Sequence, residues 1–164
     1  GINGLYLNLR GREARGIVRP GGEAERLLAE IAAALEATRD PDLGALAIKR
    51  AYRAGEIYRG EQLAAAPDLV IGYHRGWRGS NAAALGGVRD VVFDDNTNRW
   101  SGDHCMAYDE VPGVLLSSRP LTADDPDLRD LAPTILARFG LAPLPAMEGR
   151  DLLGREPRGV ADAD

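Results

Sequence analysis

The stretch "DLRDLAPTILARFGLAPLPAMEGRDLL" (Asp127–Leu153) decides the reading of the fold. Leu128, Leu131, Ala132, Ile135, Leu136 and Phe139 recur at helical spacing and draw one apolar stripe. Asp130 stands where an N-cap belongs. Pro133 then falls in the first turn, where its missing N–H leaves no hydrogen bond unmade. Gly140 is the expected stop. A short amphipathic helix of this kind needs a sheet or another helix to cover its stripe, so the upstream segments must supply one.

They do so by alternation. Ala24, Leu27, Leu28, Ile31 and Leu35 form a second stripe, with Glu23 and Glu25 at the positive end of the helix dipole and Asp40-Pro41 as its stop. "GLYLNL" (Gly4–Leu9) alternates Leu5, Leu7 and Leu9 with polar neighbours, as a half-buried strand does. "ALAIKRAYR" (Ala45–Arg53) and "PDLVIGY" (Pro67–Tyr73) read as further strands, the second with the continuous apolar run of a strand buried on both faces. "YRGEQLAAA" accommodates a short helix, and "HRGWRGSNAAALGG" is a glycine-rich loop. "DVVFDDN" (Asp90–Asn96) and "VPGVLLSS" (Val111–Ser118) are expected strands. The class is therefore α/β, a short mixed sheet covered by helices. No repeat or linker divides the chain, so residues 1–154 are expected to form one domain and 155–164 a polar tail.

The 164 residues are enough for one domain with a core, and 45% apolar with 27% charged residues is ordinary for a globular chain. The net charge of −5 excludes a broad nucleic-acid groove, which needs clustered positive charge. No apolar run approaches the roughly 20 residues of a membrane span. Cys105 is the sole cysteine, so no intrachain disulfide can form. Without a secretory leader or disulfide, a cytoplasmic location is the expectation. A strand pattern so close to Gly1 also raises the expectation that the chain is part of something longer.

The chemistry-bearing residues concentrate in "SGDHC" (Ser101–Cys105). Asp103, His104 and Cys105 are all ligand types, but on a strand adjacent residues point to opposite faces. Their spacing also matches none of the usual zinc patterns. His104 therefore stands between two readings, a metal ligand and a hydrogen-bonded structural histidine. The only other histidine, His74, is distant in sequence. Asp94, Asp95 and Asp103 form an acidic cluster that a solvated loop also explains. Arg75 and Arg78 have the chemistry to bind a phosphate oxygen, and Trp77 and Trp100 that to line a pocket. No nucleophile elbow, phosphate-binding loop or dinucleotide fingerprint is present.

The Asp127–Leu153 stretch resembles the C-terminal signature of the alkaline phosphatase superfamily. The resemblance rests on Asp130, Ala132, Pro133, Thr134, Ile135, Leu136, Gly140, Pro145, Met147, Gly149 and Leu152. "GLYLNLRGREARGIV", "YRGEQLAAAPDLVIGY" and "WSGDHCMAYDEVPGVLLSS" are similar to the bacterial type I phosphodiesterase/nucleotide pyrophosphatase branch. The resemblance implies the C-terminal portion of an alkaline-phosphatase-like α/β/α sandwich. It also implies phosphoester or pyrophosphate hydrolysis at two divalent metals, zinc or manganese, acting on a nucleotide or another phosphoester.

By the same resemblance His104, in Gly102-Asp103-His104, matches a late metal ligand, with Asp103 or Asp94 as hydrogen-bond partner of its second nitrogen. Arg78 and Arg75 become the substrate-binding candidates. The family's nucleophile and its Asp-His-Gly pair have no counterpart here, so no catalytic residue is assigned. The chain alone is expected to be inactive and to hold no metal tightly. Self-association through an exposed sheet face is a further expectation. The competing reading is a standalone binding or oligomerisation module without catalysis.

Overall fold

The computed structural model describes residues 3–88, 90–100 and 102–154; the expected tail at 155–164 lies outside them. The chain divides into two compact units, Gly1–Pro112 and Gly113–Asp164.

The first unit is α/β. Its strands β1 (Gly4–Leu5), β2 (Ile48–Arg53) and β3 (Leu69–Tyr73) form a sheet in the order β1-β3-β2. Both pairings are antiparallel, Leu5 opposite Leu69 and Tyr52 opposite Val70. The sheet is thus antiparallel where a mixed one was expected. Helix α2 (Ala54–Ile57) and a 3-10 turn (Glu61–Ala65) are all that joins β2 to β3, and they reverse the chain instead of carrying it across a face. Parallel pairing occurs only as isolated bridges among the described residues, one of them between Tyr73 and Met106. Helix α1 (Gly22–Glu36) buries Ala24 and Leu28, as its stripe requires. Leu7, Val18, Ile48, Ala51, Leu69 and Ile71 join them in one core, with Leu27, Ile31 and Leu35 packed at its edge.

Three strand expectations are shortened or overturned. Of Gly4–Leu9 only the first two residues pair in the sheet. Beyond them the amide of Leu7 donates to the Asp68 carboxylate (2.7 Å) and that of Leu9 to Glu13 (2.6 Å). Side chains replace the strand partner, while Leu7 still enters the core. Residues 90–96 and 111–118 are irregular, and Val92, Val114 and Leu116 are exposed. A strand needs a partner to satisfy its backbone, and β-propensity alone supplies none.

In the second unit a 3-10 turn (Leu128–Asp130) leads into α4 (Leu131–Arg138), which ends before Gly140 at φ 70°. The cap is Asp127 and not Asp130. Asp127 accepts from the Arg129 amide (2.9 Å), and Asp130 reaches back to the Asp127 amide (2.9 Å), a capping box. The buried residues of this helix start are Asp130, Pro133 and Thr134. Leu128, Ile135 and Phe139 of the expected core stripe are exposed. What the turn buries instead is a polar knot. Asp130 accepts from the Arg150 amide (2.9 Å), while Thr134 Oγ1 donates to the Asp130 carbonyl (2.6 Å) and accepts from the Leu152 amide (2.9 Å). Gly149 lies flat against this turn; a Cβ there would penetrate the carbonyl of Arg129.

Candidate metal centre

The site is built on the end of β3. Past Tyr73 the neighbouring position in the sheet is filled by residues 105–107, whose Ala107 amide donates to the Tyr73 carbonyl (3.0 Å). Ala107 is fully buried. Gly72 makes the approach possible, because a Cβ there would stand 2.8 Å from the Tyr52 ring and 3.0 Å from the Ala107 Cα.

The chain reaches this anchor through a turn made by Asp103. Its Oδ1 accepts from the amides of His104 (2.6 Å) and Cys105 (3.0 Å), the local side-chain-to-backbone bonding that favours Asp in turns. The turn breaks the strand alternation that would have separated these side chains. A carboxylate oxygen of Asp103, a ring nitrogen of His104 and the sulfur of Cys105 all lie within 4.8 Å of one another. The Asp103 side chain is only 9% exposed and that of His104 is 92% exposed, while Cys105 is buried. The other oxygen, Asp103 Oδ2, is buried and accepts no hydrogen bond. Arg78 Nε stands 3.2 Å from it, close enough to oppose its charge but without hydrogen-bond alignment.

Burial pushes the Asp103 carboxyl up, but the amides of Cys105 and His104, with Arg78 beyond them, outweigh it and hold the group below its ordinary range. Burial and the neighbouring Asp103 charge both push the Cys105 thiol up. The donor set of one oxygen, one nitrogen and one sulfur suits zinc better than magnesium or calcium, which prefer oxygen alone.

Arg78 is committed to this loop. Besides Asp103 it donates to Asn81 Oδ1 (2.8 Å) and to the Trp100 carbonyl (3.5 Å). Arg75 is exposed and reaches the Glu110 carbonyl (3.5 Å). Asp94 is exposed on the preceding loop, outside the three-residue group. Trp77 donates its indole N–H to Asp40 (3.3 Å), and Trp100 is exposed.

A second polar cluster was not read from the sequence. Lys49 Nζ lies 2.8 Å from Asp109 and 2.9 Å from Glu110, and Glu110 also meets His74 Nδ1 at 3.2 Å. Lys49 holds the Asp109 and Glu110 carboxyls below their ordinary values, with His74 contributing at Glu110. Its members come from β2, the end of β3 and the turn Tyr108–Glu110, so no local spacing announces it. Elsewhere in this unit an open groove of about 490 Å³ runs over Leu9, Leu28 and Leu63. The arginines on its rim are already paired, Arg12 with Asp68 and Arg53 with Glu25.

No protein-family model, no curated protein and no solved structure matches this chain.

Proposed function

We propose that the chain is the C-terminal part of a metal-dependent phosphodiesterase or nucleotide pyrophosphatase of the alkaline phosphatase superfamily, inactive by itself. The reading includes that family's α/β/α sandwich, completed by upstream sequence, with His104 as one ligand of a divalent metal. One observation carries it. The residues of the signature stretch that fix its resemblance, Asp130, Thr134, Gly149 and Leu152, are the ones joined in a single knot. Their spacing thus has a structural reason and is not a chance of composition.

The residues around His104 fit a metal, because the buried Asp103 Oδ2 lacks a hydrogen bond beside two further donors. A bound divalent ion supplies Lewis-acid polarisation of a phosphoryl oxygen. The chain's own residues hold the loop for it. Asp103 fixes the backbone of His104 through two amides, Ala107 fixes the following segment to β3, and the exposed imidazole is presented to solvent. Arg75, exposed and bound only to a carbonyl among its printed partners, remains the better candidate to meet a phosphate. Arg78 instead balances Asp103.

The test is hydrolysis of a nucleoside-phosphate ester with added zinc or manganese, by this chain and by the chain joined to its upstream sequence. The longer protein should turn over and lose at least about 100-fold with His104→Ala. Turnover by the short chain alone, abolished by the same substitution, would sink the proposal.

A second reading is a standalone, non-catalytic binding or oligomerisation module. The exposed side chains of Leu128, Ile135, Phe139, Leu141 and Leu144 favour it, since an apolar face of this kind asks for a partner. Sedimentation over a range of concentrations separates the two. A stable monomer supports the module; a dimer that dissociates when the upstream sequence is restored supports the enzyme part.

A further inference from the structure

We infer that Asp103, His104 and Cys105 form a three-donor site belonging to this chain alone, for a thiophilic divalent cation of the zinc class. The phosphoester reading asks for one ligand here, His104. The inference adds two more and does not rest on that reading.

The geometry is nearly closed. Around a tetrahedral zinc, ligand bonds of about 2.0–2.3 Å place donors roughly 3.3–3.8 Å apart. The three donors already lie within 4.8 Å of one another, so an adjustment of about 1 Å completes the site. The residue that must move is the one free to do so. His104 is exposed and can swing without losing packing, whereas Asp103 and Cys105 are set by the turn and by burial.

The second observation is independent of spacing. Asp103 Oδ2, on a side chain more than nine-tenths buried, accepts no hydrogen bond. A buried carboxylate oxygen in that state is costly unless something charged completes it. Arg78 Nε at 3.2 Å meets only part of that need.

Binding is a ligand exchange with a simple balance. The Cys105 S–H bond breaks, a sulfur–metal bond forms and the proton leaves to solvent. His104 gives a lone pair as neutral imidazole, and Asp103 is already ionised. The thiolate and the carboxylate together neutralise the divalent ion. Because burial and Asp103 make the thiol hold its proton firmly, uptake should strengthen steeply with rising pH. One coordination position stays open to water or an anionic oxygen.

The experiment titrates the full chain with Co(II) and reads the near-ultraviolet thiolate-to-cobalt charge-transfer band. Zinc calorimetry in two buffers of different ionisation heat then counts released protons. The band should saturate at about one ion per chain, with about one proton released. Cys105→Ser should abolish the band and weaken zinc binding at least about 10-fold, and His104→Ala should weaken it similarly. Asp103→Asn keeps an oxygen for the two amides and tests the carboxylate with the turn intact. Saturable cobalt uptake without the band, equal zinc affinity in Cys105→Ser, or no saturable uptake would each overturn the inference. None of these outcomes touches hydrolysis by the longer protein, so the two proposals fail separately.

Discussion

At Asp68 one carboxylate accepts from the Leu7 amide (2.7 Å) and from both terminal nitrogens of Arg12 (2.9 and 2.7 Å). It takes the place of a strand partner just where β1 stops pairing. Burial pushes this carboxyl up, yet Arg12 and the Leu7 amide together outweigh it, and the group is held below its ordinary range. A depressed native value contributes stability that is complete above the unfolded value of about 3.9 and is lost as pH falls through the native one. Asp68→Asn should therefore cost about 2 kcal/mol in urea denaturation at pH 7, after allowance for partial solvent screening. At pH 3 the gap to the parent should narrow. Gly72 is the other decisive single residue. A methyl there meets Ala107 and Tyr52, so Gly72→Ala should cost roughly 1–3 kcal/mol. It should also weaken zinc uptake by displacing the segment that carries Cys105. Neither role was legible. Asp68 reads as an ordinary strand-flanking acid, and Gly72 as a weak spot in a strand, until their distant partners are known.

Among the elements, α1 and β3 were legible because their side-chain patterns match what the core demands: Leu28 and Leu69 are buried where periodicity puts them. Helix α4 was legible in position but not in facing. Its apolar stripe dominated the reading, yet the buried side holds Asp130 and Thr134, whose worth comes from partners at residues 150 and 152. Thr134→Val tests this directly. The shape is kept, the Leu152 amide loses its acceptor, and about 1–3 kcal/mol should go in a thermal or urea melt. Gly149→Ala should do at least as much damage by pushing the 147–152 segment off the turn. The strands expected at 90–96 and 111–118 failed for a related reason. Their valines and leucines satisfy β-propensity, but pairing is a non-local property. Asp103-His104-Cys105 erred in the opposite direction: strand alternation kept the three apart, and an aspartate turn brings them together.

For the whole molecule, the two compact units each place one large side chain out of reach of water, Leu69 in Gly1–Pro112 and Leu152 in Gly113–Asp164. Leu69→Ala should cost about 2–5 kcal/mol and speed amide exchange in β2 and β3, while Leu152→Ala should do the same in α4. Exchange followed by mass spectrometry distinguishes them; equal acceleration everywhere from either change would contradict separate cores. The α/β class was readable from composition and periodicity. The cluster of Lys49, His74, Asp109 and Glu110 was not, because only the completed fold gathers residues so far apart. The bridge from Tyr73 to Met106 also has a bearing on time. It closes a loop containing all of residues 74–105, and such a closure sacrifices chain entropy before any contact rewards it. The sheet must stand before Ala107 has an amide acceptor to find. A newly made chain should therefore acquire its zinc affinity late, after its helices and strands have formed, and a cobalt signal followed during refolding should lag behind the return of secondary structure.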